Sequence, residues 1–136
     1  MTHHQIHINN WLVDVFIDDG GAFDIDSVLR LLYDMGASFD IMDEAEYMMQ
    51  GYKPNEAFTY SNGRRHTCIY IGWTTKGAEF VNSFVHELRH LVDHIASYYG
   101  IGNGEAVGYM SGDAAFLLAD DICRLGCPNC KNHIEK

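Results

Sequence analysis

The sequence predicts an α+β fold from three observations. At 136 residues and 15.4 kDa the chain has the length of one domain. Its first half carries short β-branched and aromatic runs bounded by turn residues, the mark of strands. Its second half changes to apolar residues spaced three and four apart, the period of a helix. The expectation is a single domain over 1–136, in which a small, mainly antiparallel sheet packs on a long helix and a cysteine-rich tail occupies 123–136.

Each element follows from local chemistry. Trp11 to Asp18 alternates in part and is rich in valine, phenylalanine and isoleucine, so it reads as the first strand, turned by Asp18-Asp19-Gly20-Gly21. Asp24 or Asp26 caps a helix over about 25–35, whose stripe is Val28, Leu29, Leu31, Leu32 and Met35 and whose end is Gly36. A short helix follows over 43–50, with Glu44 and Glu46 in its first turn. Ala57 to Tyr60 and His66 to Trp73 form a hairpin, for which Asn62-Gly63 supplies the positive φ angles of a tight turn. Phe80, Phe84, Leu88, Leu91, Val92 and Ile95 mark a long helix over about 76–99, broken by the glycines at 100, 102 and 104. A last helix runs from Glu105 to Leu125 and stops at Gly126 and Pro128.

Composition removes several classes of function. An apolar fraction of 47% with only two prolines excludes a disordered or collagenous chain. Nine basic residues against nineteen acidic ones give a net charge of −10, which opposes binding to nucleic acid or an anionic membrane. No apolar run approaches the roughly 20 residues of a membrane span, and the first residues lack the pattern of a secretory signal, so a cytoplasmic protein is expected. Three of the four cysteines crowd into 123–130, too close together to staple a whole fold. His3 and His4 are set aside from site arguments, as an N-terminal histidine pair resembles a tag remnant.

The chemistry concentrates in His86-Glu87-Leu88-Arg89-His90. Histidines four apart share one helical face, where two imidazoles reach one zinc ion at about 2.0 Å and the intervening glutamate flanks the open coordination position. A chain of this composition carries such a string by chance about once in forty, so the motif is fairly specific. On a helical wheel His86 and His90 lie nearly opposite the Phe84, Leu88, Leu91, Ile95 stripe, so one face packs while the other opens to a cleft. Asp93 and Ala96 stand where a metzincin needs glycine and histidine, which removes that branch. His94 continues the line, but residues eight apart are about 12 Å apart along a helix, so it is expected behind the ligands or at the surface. Arg89 lies on another side and suits a salt bridge or a solvated charge.

His86-Glu87-Leu88-Arg89-His90 followed by Asn103-Gly104-Glu105-Ala106-Val107-Gly108-Tyr109-Met110 resembles the core of a zincin-type metallopeptidase of the gluzincin kind. It is also similar to short proteins of phages and mobile elements in which H-E-x-x-H precedes E-A-x-A-Y. The resemblance covers about 80–112 and departs from the pattern at Gly108, where alanine is preferred. It implies a zincin-like fold and Glu105 as third zinc ligand, with Tyr109 donating to the oxyanion as tyrosines do in several zincins. Helix-hairpin arithmetic instead places Asp113 nearer to His90, so Glu105 and Asp113 both stand as candidates.

A second constellation, Cys123, Cys127, Cys130 and His133, has ligand types that would suit a compact second zinc site, with an unstructured tail as the equal alternative. Cys68, on a strand, is expected to be a small buried residue. The expected function is zinc-dependent hydrolysis of a peptide or protein substrate, with Glu87 as general base toward metal-activated water. The strand from Ile69 to Trp73, as sheet edge, would pair with the substrate backbone. The alternative is a non-catalytic binding or regulatory protein with a structural or inactive zinc site.

Overall fold

In the computed structural model, which describes residues 1–102 and 104–126, the described residues form nine elements. They are β1 (Thr2–Ile8), β2 (Trp11–Ile17), α1 (Ile25–Asp34), α2 (Phe39–Met49), β3 (Ala57–Ser61), β4 (His66–Ile71), α3 (Gly77–Tyr99), α4 (Gly104–Leu117) and α5 (Ala119–Gly126). The fold is α+β, as the sequence predicts, and its sheet is mixed, in the order β1-β2-β4-β3. β1 with β2 and β3 with β4 are antiparallel, whereas β2 and β4 are parallel.

Alternation along the central strands gives the sheet two apolar faces. Val13, Val15, Ile17, Ile69 and Ile71 pack against Phe80, Phe84, Leu88, Leu91, Val92 and Ile95 of α3, with Met110, Ala114 and Leu118 beyond. Phe16, Cys68 and Tyr70 point the other way, onto Val28 and Leu32 of α1 and Ala45 and Met49 of α2. Burying each large side chain contributes about 1.5–3 kcal/mol, so the stripe on α3 is what seats that helix on the sheet. α3 then ends at Gly100, whose φ of 68° is left-handed, and whose amide reaches back to the last turn. Cys68 is fully buried, as expected, and burial pushes its thiol pKa up.

Several boundaries differ from the sequence reading. β1 is an additional strand, so His3 and His4 belong to the sheet and His3 enters a polar cluster on it. Its pattern of exposed and half-buried residues is that of a half-covered strand, and Asn9 turns the chain at a φ of 56°. α2 begins at Phe39, four residues early, because Ser38 caps it by accepting from the Ile41 amide at 3.3 Å. In the β3–β4 hairpin it is Arg65, not Asn62-Gly63, that takes the positive φ, and Asn62 Oδ1 accepts from the Arg64 amide instead. β4 stops at Ile71 and lies inside the sheet; the edge strands are β1 and, next to β4, β3. The final helix breaks at Leu118, which is buried, and α5 folds back on the start of α3, where a Cβ on Gly77 would collide with the Gly126 carbonyl. Cys123 lies half-buried in α5, while Cys127, Cys130 and His133 lie outside the described residues. Among the described residues no helix is long and apolar enough to cross a membrane.

Candidate metal centre

α3 has two sides with different duties. Its apolar stripe faces the sheet, and the turns between carry His86, His90 and His94 toward the free side of β3. Between the two elements opens a cleft of about 580 Å³, lined by Asn55 to Thr59 and by Asn82, Ser83, His86, Glu87, His90 and His94.

At its centre, ligand atoms of His86, Glu87 and His90 lie within 4.8 Å of one another. The Nε2 atoms of His86 and His90 face each other at 3.1 Å. Two zinc–nitrogen bonds of about 2.0–2.1 Å at a tetrahedral angle set their nitrogens about 3.3 Å apart, so the pair fits the ion with little adjustment. Both imidazoles are exposed, whereas Glu87 is only 4% exposed. A buried carboxylate needs a donor, and Thr59 Oγ1 supplies one, donating to Glu87 Oε1 at 3.0 Å. The same hydroxyl lies 3.3 Å from the Glu87 backbone carbonyl, tying β3 to the motif.

His94 is half-buried in the cleft and sits one turn beyond His90, with ring centroids 6.3 Å apart. Its Nδ1 meets Ser61 Oγ at 2.6 Å. Burial and the neighbouring His90 lower its pKa, which favours the neutral ring. Arg89 pairs with Asp93 at 3.0 Å on the exposed side, as its position predicts, and adds about 0.5 kcal/mol at most.

The structure does not bring Glu105, Tyr109 or Asp113 to the histidine pair. α4 crosses to the flank of α3 that carries Leu88, Leu91 and Ile95, because Met110 and Ala114 complete the apolar core there. All three residues are exposed, and none lines the cleft. Asp113 stands instead beside His7 and Asn9 at the β1–β2 turn. Thr59 and Ser61 were missed from sequence, although their alternation with Phe58 and Tyr60 marks them as one side of a strand.

A second polar cluster occupies the other side of the sheet. Asp14, 1% exposed, accepts from His3 Nε2 at 2.7 Å, His66 Nε2 at 2.6 Å and Gln5 Nε2 at 3.2 Å. Comparison with protein-family models, curated proteins and solved structures finds no match to the chain.

Proposed function

We propose that the protein is a zinc-dependent peptide hydrolase centred on His86, Glu87 and His90. The observation that carries this reading is the facing pair of Nε2 atoms beside a buried carboxylate, in a cleft open to solvent. His86 and His90 hold the ion through Nε2. When bound, zinc supplies Lewis acidity toward water and toward a carbonyl oxygen. Glu87 is not needed as a ligand. Thr59 holds its Oε1, which leaves Oε2 to take a proton from water and return it to the departing amine. With β4 inside the sheet, the edge that runs along the cleft is β3, and an extended peptide pairs with its backbone in place of the edge expected at Ile69 to Trp73.

A non-catalytic zinc site is the second reading, favoured by one observation: Glu105 stays outside the cluster, so two imidazoles and Glu87 converge without a further acid. Glu87→Gln separates the two. The amide keeps the shape but cannot accept the proton, so zinc content and the melting transition persist while cleavage of a mixed peptide library falls by about 10²–10⁴-fold. Zinc-loaded wild-type protein that cleaves nothing in the library supports the non-catalytic reading.

A further inference from the structure

Behind the cleft a chain of hydrogen bonds runs from the core to His94. Trp11 Nε1, on a residue 2% exposed, donates to Thr67 Oγ1 at 2.8 Å. Thr67 Oγ1 and Ser61 Oγ are 2.7 Å apart, and Ser61 Oγ is 2.6 Å from His94 Nδ1.

The direction of this chain follows from counting protons. Indole N–H can only donate, so Thr67 must accept from it. Thr67 is fully buried, and Ser61 is the only other side-chain partner it has among the described residues. Its hydroxyl therefore donates to Ser61, since the reverse would bury a hydroxyl with no acceptor. Ser61 then has its own proton to give, and His94 Nδ1, at 2.6 Å, is the acceptor within its reach. The ring proton resides on Nε2, the one polar group of His94 not engaged by the chain, and the ring lines the cleft beside His90.

We infer that His94 is a further catalytic residue, whose Nε2–H donates to the peptide carbonyl oxygen as negative charge develops on it. This rests on the hydrolase reading. It gives His94 the role that resemblance offered to Tyr109, which is 70% exposed on α4 and away from the cleft. A ring held from behind by a chain anchored at Trp11 needs no reorganisation when the charge appears, which is the condition under which one donor contributes most.

The test has one arm free of catalysis. In metal-free protein at neutral pH, ¹⁵N spectra of His94 should show the Nε2-protonated tautomer, and Ser61→Ala should mix the tautomers; a Nδ1-protonated ring in the wild type overturns the inference. In zinc-loaded protein, His94→Leu should lower kcat on a mixed peptide library about 10²–10³-fold with KM little changed. The same variant should lose a similar factor in affinity for a mixed-sequence phosphinic peptide while keeping its zinc, and His94→Gln, which retains an N–H donor, should recover part of both. If Glu87→Gln is inactive but His94→Gln and His94→Leu match wild type, the His94 assignment falls and the hydrolase reading stands. If wild type neither cleaves peptides nor binds the phosphinic peptide while holding zinc, both fall.

Discussion

Two histidine–carboxylate clusters lie on opposite sides of one sheet, and they treat their histidines in opposite ways. Around Asp14 the imidazoles of His3 and His66 each give Nε2 to a carboxylate oxygen, and the Gln5 amide adds a third donor. Around Glu87 the carboxylate is nearly as buried, but its oxygen is held by Thr59, and the histidines turn Nε2 toward each other at the cleft. A metal at the first cluster would have to break hydrogen bonds to a buried acid. At the second it would replace only a contact between two imidazoles. The lesson is that what the ring nitrogens are already bonded to, more than the number of histidines nearby, distinguishes a candidate ligand from a structural residue.

The largest effect should come from removing histidines in pairs. His86→Ala with His90→Ala is expected to abolish zinc binding and leave the melting transition of the metal-free protein nearly unchanged, because both side chains are exposed. His3→Ala with His66→Ala should do the reverse, keeping zinc while lowering stability. Metal analysis beside a urea titration checks both, and zinc retained in the first pair breaks the comparison.

The carboxylates' partners come next. Asp14→Ala removes three hydrogen bonds to a buried carboxyl and should cost at least about 2–3 kcal/mol in urea unfolding, with zinc content untouched. Thr59→Val deprives the buried Glu87 carboxylate of its donor and should cost about 1–3 kcal/mol. It should also slow peptide cleavage, an effect with no counterpart at Asp14, and equal loss of activity in the two variants would dissolve the distinction.

A smaller effect concerns pH. The Thr2 hydroxyl, and after it the chain's amino terminus and the Gly21 amide, hold the Asp19 carboxyl well below the usual carboxylate range, against the opposing effect of burial. A folded pKa below the unfolded one means the contribution is fully present above about pH 4 and is lost as pH falls through the folded value. Urea midpoints measured from pH 2 to 6 should therefore fall less steeply in acid for Asp19→Asn than for wild type. An unchanged slope would remove Asp19 from the account. The smallest effect is expected at α4, where Glu105→Gln should change zinc affinity by less than the roughly 10-fold that loss even of a ligand's hydrogen-bond partner brings. A larger loss, measured by competition with a chelator, would return Glu105 to the site.

Much of the fold was legible in the sequence. The stripe from Phe80 to Ile95 is a helix whatever surrounds it, since its period and its glycine stop are local, and Asp24 caps α1 by the same local chemistry. His86, Glu87 and His90 share a site for that reason too, because positions i, i+1 and i+4 are fixed relative to one another by one helix. Even the buried state of Cys68 follows from the apolar run around it.

What only the tertiary structure decided is everything that one element says to another. The parallel pairing of β2 with β4 puts β4 inside the sheet and β3 at its edge, and this brings Thr59 and Ser61 to residues 28 and 33 positions away. The packing of Met110 and Ala114 carries α4 to the core side of α3, and Glu105, Tyr109 and Asp113 go with it. The same sheet gathers Gln5, Asp14 and His66 around a histidine that looked like a tag. Helical spacing is set by neighbours three and four residues away and can be read from a string of letters, whereas strand order and helix flank are set by which buried surfaces fit together, and that depends on the whole chain at once.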